Sequence, residues 1–234
     1  MQFTRVVGSI GLAACALAVG FTLGLPVRAM ADDLGPSAFE GGFRLGFALP
    51  MGNVDGLTGD SLGATVGMLV PLWVDFGARI GEHLFVGPYG VFGVGSDGGA
   101  TSACGCAILY GRAGLNALYH LRPSEVVDPW FGVGVGFEGL VIDGADSSPG
   151  VTGWESDVEA GVDVRTASGA RVGPFAAFSL GQFDSPGTYF RGDNNTPMPA
   201  PSALHEWLTL GVRVVFGGPS EPPIANPAGA PPPP

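Results

Sequence analysis

The sequence contains no lysine, and all ten of its basic residues are arginine. Charged residues make up only 13% of the chain, roughly half the share of an average globular protein. Acidic residues outnumber basic ones by 21 to 10, which gives a formal net charge of -11. A chain this acidic lacks the basic surface that nucleic-acid binding requires. We therefore expect no nucleic-acid partner, and no motif in the sequence predicts a cofactor.

Glycine and proline are abundant, with 41 and 21 residues, while hydrophobic residues make up 46% of the chain. So much glycine excludes a helical bundle, because glycine destabilises helix interiors. The apolar content excludes an intrinsically disordered chain. The composition instead indicates a glycine-rich β protein in an apolar environment.

The amino terminus has the pattern of a secretory signal peptide. Arg5 precedes an apolar run over residues 6–25, and Ala29 and Ala31 then form an A-x-A cleavage site. The pattern predicts cleavage after Ala31, so that residues 1–31 are the signal peptide. An uncleaved membrane helix and a lipoprotein processed at Cys15 are the alternatives. No later apolar run reaches the 18 or more residues typical of a membrane helix.

Residues 41–216 alternate between apolar and small or polar side chains, which is the period of β-strands. The alternation predicts an all-β fold, an eight-stranded antiparallel up-and-down transmembrane β-barrel. Residues 32–40 are predicted to be a periplasmic N-terminal segment, and residues 217–234 a disordered, proline-rich periplasmic tail. The eight strands are predicted at residues 42–50, 69–80, 84–95, 108–121, 129–143, 152–166, 171–183 and 205–216.

The connections between these predicted strands alternate in length, with 18, 3, 12, 7, 8, 4 and 21 residues. In an up-and-down barrel, alternate connections lie at the same end. The long connections are therefore predicted to form outer loops, and the short turns to share the periplasmic end with both termini. Long outer loops, short periplasmic turns and an even strand number are typical of bacterial outer-membrane barrels.

The register opposite to the apolar one collects ten charged residues of both signs. If the apolar register faces lipid, these charges line a narrow lumen, where each buried charge needs a partner. We therefore predict a paired charge network that fills the lumen. The alternative is a soluble barrel, in which the same residues face water. The predicted network consists of Arg44, Asp75, Arg79, Arg112, Glu138, Asp157, Glu159, Asp163, Arg165 and Arg213.

The last predicted strand contains Thr209, Gly211, Val214 and Phe216 at the spacing of a β-signal: polar, glycine, apolar, terminal aromatic. With eight predicted strands, the chain resembles small bacterial outer-membrane barrels of the OmpA and OmpW type. The resemblance implies a place in the bacterial outer membrane and insertion by the barrel assembly machinery. It also implies membrane lipid and lipopolysaccharide as partners, and it says nothing about oligomeric state.

Few residues could carry chemistry. Cys104 and Cys106 lie in a predicted outer loop, where a local disulfide, unpaired thiols, intermolecular pairing and a ligand role are the alternatives. A metal site would need further ligands, and none is predicted. His205 beside Glu206 and Ser202 is the one catalytic arrangement that the sequence offers. Adjacent Ser and His residues are common, so we do not expect an enzyme.

These features predict an integral outer-membrane protein with a structural or surface-interaction role, exposed outer loops and a lumen filled by paired charges. The alternative is a narrow pore or lateral conduit for small apolar molecules, as the likeness to OmpW suggests. A lipid-modifying outer-membrane enzyme is the third hypothesis.

Overall fold

Eight antiparallel strands close into a barrel in the computed structural model of the chain. The structure describes residues 37–54, 61–99, 106–143, 150–186 and 203–217. The predicted signal peptide and nearly all of the predicted tail lie outside these ranges. The strands are β1 (Ser37–Gly52), β2 (Val66–Ile80), β3 (Leu84–Asp97), β4 (Ala107–His120), β5 (Val127–Asp143), β6 (Gly150–Arg165), β7 (Arg171–Pro186) and β8 (Ala203–Gly217).

Each strand pairs with the next, and β1 closes the barrel against β8. This closing ladder runs from the Glu40 and Gly217 pair to the Gly52 and His205 pair. The closed ladder leaves no sheet edge, so the backbone polar groups of the wall are paired between strands. Strand β1 begins at Ser37, earlier than the predicted strand start at residue 42 and the predicted barrel start at residue 41, because the alternation continues through Glu40.

The connections at one end of the barrel contain 13, 9, 6 and 16 residues, and those at the other end contain 3, 6 and 5. The predicted strict alternation is therefore wrong at one place, where connections 121–126 and 144–149 have equal length. Strands β5 and β6 each begin two residues earlier than predicted, which shortens the connection before each of them. Connection 53–65 includes the one-turn helix α1 (Leu62–Thr65). No helix within the described ranges is long and apolar enough to cross a membrane.

The two faces of the wall differ sharply in polarity. On β5, Phe131, Val133 and Phe137 point outward and are 52%, 56% and 76% exposed, whereas Glu138 points inward and is 3% exposed. The other strands repeat this arrangement, with large apolar side chains outside and charged ones inside. Soluble barrels have the opposite arrangement. The described wall therefore contradicts the soluble-barrel alternative and confirms the predicted transmembrane type of β-barrel.

Most glycines of the wall face inward, where they make room for large side chains. A Cβ atom at Gly161 would lie 2.6 Å from the Trp130 ring, and one at Gly136 would lie 2.7 Å from the Tyr89 hydroxyl. A Cβ atom at Gly134 would meet the Asp157 carboxylate. An eight-stranded barrel is just wide enough to be filled by side chains. The inward glycines thus set how much charge and aromatic volume the lumen holds.

Replacing one of these inward glycines should therefore destabilise the barrel. We expect Gly161→Ala to lower the free energy of unfolding by about 1–3 kcal/mol, because its methyl group overpacks the Trp130 ring. Gly90→Ala is the matched control, since Gly90 faces outward and has no atom within 4 Å of a Cβ atom. Urea unfolding in detergent micelles measures the free energy of unfolding of both variants. Equal losses would contradict the assignment that the Trp130 ring fills the space beside Gly161.

Candidate functional site

The middle of the lumen is organised around Arg44 of β1, which is 1% exposed. Its Nε and Nη2 atoms donate to the two carboxylate oxygens of Asp75 on β2, at 2.8 and 3.0 Å. Its Nη1 atom donates to Glu159 on β6, a strand that is not a neighbour of β1. Asn116 of β4 also donates to Asp75, at 2.9 Å. One guanidinium group thus joins strands from different sides of the wall.

A second cluster lies closer to the loop end, around Arg112 of β4. Its Nη2 atom donates to Asp157 at 2.9 Å and its Nη1 atom to the Ser179 hydroxyl at 3.0 Å. Its Nε atom donates to Glu155, which also accepts the Tyr89 hydroxyl at 2.6 Å. These contacts connect β3, β4, β6 and β7 across the interior. Hydrogen bonds between a guanidinium group and a carboxylate are roughly twice as strong as those between neutral groups.

Trp73 of β2 lies between the two arginine clusters. The Cζ atoms of Arg44 and Arg112 each lie 4.9 Å from the centroid of its ring. Cation–π contacts of this length are favourable where water is excluded. The ring also makes edge contacts with Tyr89 and Phe175, both at 6.0 Å between centroids. The two clusters are therefore parts of one continuous packed interior.

A third cluster lies at the end of the barrel that carries the termini. Glu40 of β1 accepts Arg79 Nε at 2.8 Å and Arg213 Nη2 at 3.5 Å. Arg171 Nη1 lies 3.8 Å from the same carboxylate. Arg213 also donates to Asp163 Oδ2 at 3.1 Å. Glu40 is thus shared by three guanidinium groups, which lie on β2, β7 and β8.

Two buried histidines extend the network toward the ends. His120 Nδ1 lies 2.7 Å from Asp128 Oδ2 on the terminus side. His205 Nε2 lies 2.6 Å from Glu138 Oε1 nearer the loops, and the Tyr110 hydroxyl donates to Glu138 Oε2 at 2.9 Å. The His205 ring stacks on Phe183 with 3.9 Å between centroids. His120 is therefore held by a hydrogen bond to a carboxylate, whereas His205 lies within ion-pair distance of one and is positioned by its stacking on Phe183.

Nine of the ten predicted lumen residues are buried inside the barrel. Arg165 is the exception, since it is half-buried at the end of β6 and its Nη2 atom donates to the Pro123 carbonyl oxygen at 2.7 Å. That position at the strand end lets its side chain reach connection 121–126 instead of the lumen. Six further buried acidic, arginine or histidine side chains were not predicted as members of the network: Glu40, His120, Asp128, Glu155, Arg171 and His205.

The structure separates the residues of the candidate catalytic arrangement. His205 is buried in the lumen, whereas Glu206 follows it on the strand and lies on the other face. Ser202 lies outside the described residues, as does Cys104. Cys106 is disulfide-bonded, while its pairing with Cys104 stays a prediction. Within the described ranges, no group of three or more His, Cys, Asp or Glu residues could hold a metal ion.

The residues of the predicted β-signal divide between the two faces of β8. Thr209 is buried in the lumen, and Gly211 leaves room for Phe175, whose ring would lie 2.8 Å from a Cβ atom there. Phe216 faces outward and makes an edge contact with Phe43 of β1, at 6.5 Å between centroids. The polar and glycine positions of the motif thus face the lumen, and its terminal aromatic position faces outward.

The similarity to solved structures is one of fold. The chain is similar to solved structures of small eight-stranded outer-membrane β-barrels. A crystal structure of Neisserial surface protein A (NspA) shares 17% identity over 77% of this chain and 97% of that chain, with a TM-score of 0.46. A solid-state NMR structure of outer membrane protein AlkL in lipid bilayers shares 17% identity over 85% and 98%, also at 0.46.

A third similar structure is the crystal structure of Ail, the attachment invasion locus protein of Yersinia pestis. It shares 14% identity, covers 76% of this chain and 98% of that chain, and has a TM-score of 0.40. No protein-family model and no curated protein matches the chain. Because these TM-scores are below 0.5, the similar structures carry no argument about function, which is inferred from the residues of this chain alone.

Removing one buried arginine should be far more damaging than removing an exposed one. We expect Arg112→Met to lower the free energy of unfolding by about 3–5 kcal/mol, because Glu155 and Asp157 would lose their buried partner. Arg122→Met is the matched control. Its pair with Glu125 has both side chains more than half exposed, so the loss should stay below about 1 kcal/mol.

Urea unfolding in micelles measures the free energy of unfolding of both arginine variants. Adding Glu155→Gln and Asp157→Asn to Arg112→Met should recover part of the loss, because the unpaired charges are then removed. An Arg112→Met loss as small as that of Arg122→Met would contradict a dry, paired lumen.

Proposed function

We propose that the chain is an integral protein of the bacterial outer membrane whose lumen is closed by paired charges, and that its role is structural or surface-interacting. The observation that carries the proposal is the inverted polarity of the closed wall. Large apolar side chains cover the outside, while eight carboxylates and five arginines are buried inside the described barrel. A wall of this kind is stable only where an apolar medium surrounds it.

The dimensions of the wall support the membrane location. Its strands contain 14 to 17 residues, and a tilted strand needs about 9–11 residues to cross the hydrocarbon core. The remaining residues extend beyond the core at both ends. In this proposal, the signal peptide 1–31 directs export, the barrel assembly machinery reads the β-signal in β8, and the outer loops contact lipopolysaccharide.

The interior favours a closed barrel over an open channel. Clusters of ion pairs around Glu40, Arg44 and Arg112 follow one another along the axis. At the loop end, large apolar side chains pack above them. These are the fully buried side chains of Leu62, Leu69, Ile108, Leu140 and Phe183. With its lumen occupied in this way, the barrel would act through its outer surface and loops, as a structural element or an interaction partner.

Fractionation tests the membrane location. We expect the protein expressed in a bacterium with an outer membrane to remain in the membrane pellet after washes with high salt and with urea, and to dissolve only in detergent. The apolar outer face requires this behaviour, because it has no favourable contact with water. A soluble periplasmic protein with an intact signal peptide is the control, and release of the barrel with that control would contradict the proposal.

A narrow pore is the second candidate, and one observation favours it. Several buried polar atoms have no protein partner, including Trp73 Nε1, Trp207 Nε1 and His205 Nδ1. Buried polar groups of this kind are commonly satisfied by internal water. Isolated waters satisfy them in a closed lumen, whereas a continuous water file would let ions pass.

Planar-bilayer recordings distinguish the closed lumen from the pore. We expect no conductance above the bare-bilayer baseline from the refolded protein, because the ion pairs and the apolar layer occupy the lumen. A porin reconstituted in the same bilayer provides the positive control. Reproducible open-channel steps from the wild-type protein would contradict the closed lumen and establish the pore.

A further inference from the structure

Gly41 lies at the centre of four phenylalanines on the outward face of the barrel. It is paired with Phe76 of β2 on one side and with Phe216 of β8 on the other. Phe39 and Phe43 flank it along β1 and point outward on the same face. Together these five residues form a cup, here called the phenylalanine cup. The cup borders an open groove of about 330 Å³ that Val74 also lines.

The fold itself does not require glycine at position 41. Its φ angle is not in the left-handed region, and a Cβ atom there would make only ordinary contacts, at 3.6 and 3.9 Å. The slot at Gly161 inside the barrel, by contrast, is filled by Trp130. The missing side chain at Gly41 therefore leaves a space that the described chain does not fill.

We propose that the phenylalanine cup binds an acyl chain of a membrane phospholipid. This inference rests on the proposed membrane location, because the cup is continuous with the lipid-facing wall. Four aromatic rings and Val74 offer an acyl chain apolar contact, and nearly all of the exposed surface of the groove is apolar. A volume of about 330 Å³ is at the low end of small-molecule pockets, about 300–1,000 Å³. The groove therefore fits a chain segment and not a whole lipid.

The position of the cup also selects the leaflet. Phe39 and Phe43 lie near the start of β1, and Phe216 lies next to the last residue of β8. Both places belong to the end of the barrel that carries the termini, which is the periplasmic end in the proposed orientation. The bound lipid is therefore a phospholipid of the periplasmic leaflet.

Photo-crosslinking tests this binding site directly. The full chain is refolded into phosphatidylcholine vesicles that contain a phospholipid with a photoreactive group near the ester end of one acyl chain, at the depth of the cup. After irradiation, mass spectrometry locates the labelled residues. We expect severalfold more label at residues 39–43 and at Phe216 than at equally exposed outward residues such as Phe131, which is 52% exposed.

A matched pair of variants separates the cup from ordinary lipid contact. Gly41→Leu fills the cup and should remove the excess label. Gly111→Leu adds the same side chain at another outward glycine, between Phe92 and Gly139 and away from the groove, where a Cβ atom would meet only the Val91 carbonyl oxygen at 3.9 Å, and should leave the label unchanged. Equal labelling of wild type and Gly41→Leu would overturn the inference.

Two other occupants of the cup would also overturn it. Residues 218–234 follow Gly217, which lines the groove. Crosslinks between that segment and the cup would show that the segment, and not a lipid, occupies the groove. Crosslinks between two chains through the cup would assign it to a second copy. Circular dichroism and heat-dependent gel migration monitor barrel formation separately. Failure to insert into the vesicles contradicts the proposed function, whereas insertion with even labelling contradicts the acyl-chain site alone.

Discussion

The structure depends on how much charge can be paired inside a barrel of eight strands. A barrel of this size has no room for both large side chains and free water, and a buried charge without a partner is costly. The inward glycines resolve this conflict, because each leaves space for a neighbour such as Tyr89, Trp130 or Asp157. The high glycine content and the low charge of the chain are therefore two consequences of one geometric limit.

Pairing inside the lumen also has a mechanical consequence. Arg44 connects β1 with β2 and β6, while Arg112 connects β4 with β6 and β7. The contacts from β1 to β6, from β4 to β6 and from β4 to β7 cross the interior between strands that share no backbone ladder. Trp73 packs against both guanidinium groups, so the clusters support each other. Opening a path through the lumen would require several buried charges to lose their partners together, and this cost supports the proposed closed lumen.

The alternation of the sequence predicts the wall and most of the lumen, and its failures are local. Glu40, Asp128 and Arg171 lie near strand ends, where neighbouring turn residues interrupt the alternation. Each nevertheless occupies an inward-facing position of its strand. Glu155 has the same parity as Asp157 and could have been found in this way. The pairing of Arg44 with Glu159 could not, because it depends on barrel curvature and side-chain rotamers that no strand pattern encodes.

Glycine serves opposite purposes on the two sides of the wall. Inside, the space above Gly161 is occupied by the chain's own Trp130 ring. Outside, the space above Gly41 is bounded by aromatic rings but filled by nothing in the described chain. A void that faces hydrocarbon forfeits dispersion contacts that an acyl chain can restore. The same residue type thus lets side chains fill the interior and leaves an unfilled groove on the outward face.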